Sequence, residues 1–196
     1  MKLFKSITRE HAAYERRREQ VIKSARGILR DSKRVIFFCH EGKTQDSKRL
    51  LASTSRLIAQ LESKYQKPLY AKAKSFSLDH EGAWASAVEE FLEAWFFYHF
   101  LSTQRVVEPK HLQPSVNVYI GALADFTGEL LRTAVVEGAS RNIRALERYR
   151  AAISDVVAFM LPLYLTGQNR QKFDQAKRNL RRIEEIIYEV KIRSSQ

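Results

Sequence analysis

One seam runs through the first forty positions in alternating steps of three and four: Phe4, Ile7, His11, Tyr14, Arg18, Val21, Ala25, Ile28, Ser32, Val35 and Cys39. A strand repeats every two residues, so this rhythm predicts one long α-helix with an apolar face. Over its 36 residues such a helix is roughly 54 Å long at about 1.5 Å per residue, more than one small domain covers by itself. Partner helices are therefore expected, some of them from other subunits.

The rest of the chain continues in the same period. A second helix over about 45–66 carries Leu50, Thr54, Leu57, Leu61 and Tyr65 on one stripe and stops before Lys67-Pro68. A third spans about 81–103. Pro109 and Pro114 mark a loop before a fourth at about 115–137, which Gly138 ends. The fifth, about 141–165, turns Leu146, Ile153, Val156, Met160 and Leu163 inward, with Pro162 near its end. In the last helix Phe173, Ala176, Leu180, Ile183, Ile187 and Val190 oppose a face of Lys172, Lys177, Arg178, Arg181 and Arg182. No strand-like alternation, repeat or low-complexity tract interrupts this, and 196 residues with 7 Gly and 4 Pro fit one domain over 1–196. The expected fold is all-α, a single-domain bundle of about six to seven helices.

Charge is segregated along the chain. Segments 1–40 and 41–74 carry net charges of +7 and +5, 75–137 carries −6, and 138–196 carries +6. Basic flanks attract a polyanion, whereas a block of carboxylates repels it unless cations gather there. The single cysteine, Cys39, excludes an internal disulfide framework and a cysteine-rich zinc site. No apolar run reaches membrane-spanning length and the amino end has no signal-peptide pattern, so a soluble cytoplasmic protein with no membrane partner is expected.

The carboxylates of the middle segment are misplaced for a solvent face. Trp84 to Phe100 is apolar around almost its whole circumference, yet Glu90 and Glu93 stand three apart on one side of it. Burying both is costly unless a cation compensates or one takes a proton. On the fourth helix Asp125 and Glu129 lie one turn apart, on the same side as Gly121, Gly128 and Arg132. Two acids on each of two adjacent helices can form an oxygen-ligand cluster for a hard cation such as Mg²⁺ or Mn²⁺. Nucleases use such ions to activate water and stabilise charge on a phosphodiester. A structural network, with Arg132 and basic groups of a neighbouring subunit neutralising the acids, is the alternative.

Weaker motifs fall away on chemistry. Gly42-Lys43-Thr44 resembles the tail of a P-loop but has Phe37 in place of the leading glycine. Glu108-Pro109-Lys110-His111 is the one Glu-x-x-His, too few for a di-iron site. Adjacent Cys39 and His40 point about 100° apart on a helix, so Cys39 reads as a packed seam residue rather than a nucleophile, and His99 reads as a core histidine. For nucleic-acid contact the candidates are Arg16 and Arg17, and Lys67, Tyr70, Lys72 and Lys74 in a stretch where cations alternate with rings able to stack on unpaired bases. An ordinary solvated connector explains that stretch equally well.

Glu90-Phe91-Leu92-Glu93-Ala94 followed by His99-Phe100, Tyr119 to Arg132 with its Asp-Phe-Thr-Gly-Glu-Leu core, and Tyr188-Glu189-Val190-Lys191-Ile192-Arg193 resemble the translin family over most of the chain. The match is better to its TRAX (translin-associated factor X) branch than to translin. The resemblance implies a translin-like superhelical subunit in a hollow octamer that binds single-stranded RNA or DNA, here a homo-octamer or an assembly with a translin-like second chain. It also implies Mg²⁺-dependent endoribonuclease activity, with Glu90, Glu93, Asp125 and Glu129 as catalytic and metal-binding residues. Glu89 is an acid where TRAX-like sequences tend to carry an amide, and its role is open. Ser77-Leu78-Asp79-His80-Glu81-Gly82 replaces the basic run translin has there, so no RNA contacts carry over from it. Two other readings stand beside this one: a non-catalytic single-strand binder with structural acids, and an interaction protein whose long helices serve assembly alone.

Overall fold

The computed structural model describes residues 2–65, 77–78 and 81–194, and among them the chain is all-helical. Six helices follow one another: α1 Lys2–His40, α2 Thr44–Tyr65, α3 Gly82–Thr103, α4 Val116–Ala139, α5 Ile143–Met160 and α6 Gly167–Ser194. α3 and α4 pack on each other at the centre. α3 also meets α1 and α2, while α4 also meets α5 and α6. The apolar girth of α3 is what suits it to this place, since Phe91, Leu92, Phe96 and Phe97 are fully buried from several directions. The core is contiguous across all six helices, from Val21 and Ile28 on α1 to Ile183 on α6.

Local chemistry sets the ends. Ser115 caps α4 by accepting from the Val118 amide, and Asn142 caps α5 by accepting from Ala145 at 3.2 Å. Gln104, with φ of 59°, closes α3 in the left-handed region and donates its amide to the Phe100 carbonyl. α5 is shorter than the sequence spacing predicts, ending at Met160 rather than about 165. Pro162 has no amide hydrogen, and its ring would strike the carbonyl four residues back. The α3–α4 loop is held down by Trp95 Nε1, which donates to the Val107 carbonyl at 2.8 Å, and by a Ser55–His111 hydrogen bond of 2.5 Å. His111 therefore has a structural role.

The stripe expected on α2 is rotated. Leu51 and Ile58 are buried beside Thr54, Leu61 and Tyr65, and Leu57 lies at the exposed edge. On α1 the single seam has two fates. From Val21 onward it is buried against α3 and α2, whereas Phe4, Ile7 and Tyr14 remain exposed. Glu81, buried just ahead of α3, ties this arm to the core through Tyr14 Oη at 3.3 Å and Arg18 Nε at 3.3 Å.

Candidate metal and nucleic-acid site

α3 and α4 cross so that their acids share one electrostatic neighbourhood. Glu93 is half-buried, and that desolvation, reinforced by the negative charges of Glu90, Asp125 and Glu129, pushes its carboxyl up to about 9. Glu90 is raised for the same leading reason, burial, opposed by the Lys33 ammonium 3.8 Å away. The two acidic pairs therefore lie within electrostatic reach of each other. Among the described residues no hydrogen bond or ion pair reaches Glu93, so nothing bonded to it counters the desolvation that favours its neutral form.

Two nitrogen-bearing side chains that the sequence did not flag, Lys172 and His40, sit on the other acids. Lys172, from the first turns of α6, donates to Glu89 Oε1 at 2.7 Å and to Asp125 Oδ2. Its side chain is only 14% exposed. Burial works against the charged form of Lys172, but the bonds to Asp125 and Glu89 outweigh it and its pKa is raised. His40, at the last turn of α1, places Nε2 2.5 Å from Glu129 Oε2, with Arg132 Nη1 3.8 Å from the same oxygen. Part of the expected network with Arg132 is thus present, supplied by this chain's own α1 and α6.

Glu89 acquires a place as well. A Cβ on Gly121 would lie 2.0 Å from Glu89 Oε2, so the absent side chain is what lets this carboxylate rest against the α4 backbone and reach Lys172. The opening that glycine leaves on the acidic stripe is filled by an acid from α3. Two residues beyond Asp125, α4 and α6 are pinned by a buried bond in which Asn179 Nδ2 donates to Thr127 Oγ1 at 2.9 Å. Gln175 in turn donates to Asn179 Oδ1 at 2.9 Å, fixing the amide's orientation.

Among the described residues no three His, Cys, Asp or Glu side chains stand together as a ready-made metal-ligand set. The donor chemistry nonetheless suits a hard divalent ion, being carboxylate oxygens throughout, with one desolvated acid whose charge nothing offsets directly. Glu93 has no bonded partner among the described residues and Glu90 only the Lys33 ammonium, whereas Asp125 and Glu129 are held by Lys172 and His40. Cys39 is not chemically poised, since burial pushes its thiol pKa up and Ser47 Oγ lies 3.6 Å from its sulfur. His99 packs against Trp95 in a tilted contact with ring centroids 4.3 Å apart, and burial lowers its pKa.

The nucleic-acid candidates divide. Arg16 and Arg17 are exposed on the arm of α1, while Lys67, Tyr70, Lys72 and Lys74 lie outside the described residues. No described helix is long and apolar enough to cross a membrane.

Comparison with known proteins bears on the fold and the family. The chain is 24% identical over 187 residues to the Translin-associated protein X homolog of Schizosaccharomyces pombe, spanning 88% of this chain and 80% of that protein. Among solved structures, apo-NeC3PO superposes with a TM-score of 0.82 at 16% identity, over 95% of this chain and 96% of the other. AfC3PO does so with 0.81 at 20% identity over the full length of both, and its complex with duplex RNA with 0.79 at 20% identity over 98% and 97%. These likenesses are of fold. The family model for the Translin family matches residues 16–194, nearly the whole length, and the chain belongs to the translin family.

Proposed function

We propose that this chain is a divalent-metal-dependent endoribonuclease of the TRAX type, acting on single-stranded RNA within a hollow self-assembled oligomer. The observation that carries the reading is the convergence of Glu90 and Glu93 from α3 with Asp125 and Glu129 from α4, leaving Glu93 desolvated among three other acids. Those four would hold Mg²⁺ or Mn²⁺, which when bound supplies Lewis-acid activation of water and of the phosphodiester.

The remaining residues act by position and charge. Lys172 cancels negative charge at Asp125 and Glu89, lowering the repulsion that an incoming phosphate meets. His40 and Arg132 hold Glu129 in one orientation. Arg16 and Arg17, with Arg178 and Arg181 on the outer face of α6, offer cations to the strand backbone. Exposed Leu3, Phe4 and Ile7 on α1, and Tyr188 and Ile192 on α6, supply apolar area for assembly, with a homo-octamer as the expected product and a translin-like chain as the other partner to test. The RNA-bound relative, AfC3PO, supports RNA as the ligand class.

The decisive experiment incubates labelled single-stranded RNA with the purified protein, with Mg²⁺ or with EDTA, and resolves the products on a gel. Glu90→Gln/Glu93→Gln is expected to abolish cleavage and leave RNA affinity nearly unchanged, and cleavage by that double variant removes the site. A second reading has its own support: Lys172 and His40 already satisfy Asp125 and Glu129, as in a non-catalytic RNA holder with structural acids. That reading predicts RNA binding indifferent to EDTA and no Mg²⁺-dependent product.

A further inference from the structure

Glu89 has a second neighbour besides Lys172. It forms part of the wall of a groove of about 390 Å³, bounded by the first turns of α3 and α4, the start of α6 and the α5–α6 connector at 161–166. This volume lies in the range of small-ligand sites. Ser86, Asn117, Gln168 and Asn169 bring hydroxyl and carboxamide groups to it, and Tyr164 stands at it with 98% of its surface exposed. No Lys or Arg is among the described residues of its wall.

That lining discriminates between parts of a nucleotide. A phosphate is held best by cations, which the described wall lacks, and the Glu89 carboxylate on that wall repels one. Carboxamides, by contrast, carry paired donors and acceptors suited to the edge of a base or to ribose hydroxyls. Asn169 commits its amide hydrogens to the Asn117 backbone carbonyl at 3.1 Å and to Asn117 Oδ1 at 3.4 Å, which fixes its own carbonyl oxygen as an acceptor. A tyrosine ring left wholly in water at the edge of a polar groove gains most by covering a flat apolar surface, and a nucleobase is such a surface. The groove also adjoins the acid cluster, because Glu89 lines it and shares the Lys172 ammonium with Asp125.

We infer that this groove is a nucleobase subsite: it takes one unpaired base of the RNA strand, with Tyr164 stacking on the base and the carboxamides of Asn169 and Gln168 meeting its edge. The inference rests on the RNA-binding part of the proposed function and not on the metal or the cleavage. A base inside a duplex is stacked and paired and cannot enter, so the subsite gives this protein a preference for single strands that a basic surface alone does not.

The test measures fluorescence anisotropy of an end-labelled oligouridylate, the same strand annealed into a duplex, and the same strand made abasic, all in EDTA so that cleavage does not intervene. Tyr164→Ala in the full chain is expected to weaken single-strand binding between about fivefold and a hundredfold, the effect of losing one base–aromatic stack. Tyr164→Trp should retain the affinity, and duplex and abasic strands should bind wild type and Tyr164→Ala alike. Equal single-strand affinity for Tyr164→Ala and wild type overturns the subsite. So does a parallel loss on all three ligands, or a changed oligomer size for Tyr164→Ala by light scattering, which would make Tyr164 an assembly residue. If wild type binds none of the three, the RNA-binding reading itself fails. If it binds without cleaving under Mg²⁺, only the nuclease reading fails and the subsite stands.

Discussion

Lys172→Met removes the ammonium and keeps the aliphatic stem, so it isolates what the charge does. In the native protein Nζ is bonded to Glu89 and Asp125, with the side chain 14% exposed and the two acids 20% and 35% exposed. Exposed ion pairs contribute about 0–1 kcal/mol, while removing one partner of a buried pair costs about 3–5 kcal/mol. With these exposures the bridge lies between the two cases, which places the loss at about 2–3 kcal/mol. For a chain of this length each kcal/mol moves the melting temperature by about 2–4 °C, so the variant should melt about 4–12 °C below wild type in EDTA. Divalent cations should reverse much of that. An ion at a hundredfold excess over its Kd stabilises the folded state by about 2.7 kcal/mol, and in the variant no ammonium has to leave Asp125 first. Thermal melts with EDTA, Mg²⁺ and Mn²⁺, together with calorimetric Mn²⁺ titration, read this directly, and Lys172→Arg serves as the charge-preserving control. Equal melting of Lys172→Met and wild type in EDTA would refute the energetic argument. Equal divalent-ion shifts in both would refute the competition between the ammonium and the metal.

Three further outcomes follow from the same geometry. The Glu93 carboxyl is held at about 9 in the fold against 4.5 in a free chain, so the native state keeps an extra proton between those values and the metal-free protein loses stability as pH rises from about 5 to about 9. Glu93→Gln, which mimics the protonated acid, should flatten that decline in urea titrations run with EDTA, and an unaltered slope would show that Glu93 is not its source. Gly121→Ala should fold, since alanine favours a helix interior by about 1 kcal/mol over glycine, but its methyl group displaces the Glu89 carboxylate. Its effect on melting should therefore be non-additive with Glu89→Gln, and strictly additive effects would separate the two residues. Cys39, with its thiol pKa raised by burial, should resist iodoacetamide in the native protein at neutral pH and react once urea is added; rapid native labelling by mass spectrometry would contradict that.

The helices and the acids were legible because both signals are strong and local. A three-four apolar rhythm specifies a helix whatever surrounds it, and glutamates such as Glu90 and Glu93 on the otherwise largely apolar α3 are anomalous without any partner in view. What escaped were contacts made across the bundle. Lys172 was assigned to the polar face of α6, yet it lies four residues before Ala176 and seven before Asn179, both buried, and Ile183 continues that line. Reading the stripe backwards from Ile183 would have placed the lysine inside. His40 likewise stands four residues after buried Ile36 on α1. Neither spacing reveals which acid each cation meets, since that depends on how α1 and α6 cross α3 and α4. The early end of α5 was a misjudged proline, and Leu57 was displaced by a one-position rotation of the α2 stripe towards Leu51 and Ile58.

The overhang of α1 has a thermodynamic corollary. At 39 residues the helix is roughly 58 Å long, and its leading turns carry Leu3, Phe4 and Ile7 into water with little of their own chain to lean on. Helical turns without tertiary support are marginal in water, so their order is coupled to whatever buries that side. Dilution should then fray the amino-terminal arm before the bundle melts, and amide exchange at residues 3–13 becomes a gauge of how crowded each molecule is by its neighbours.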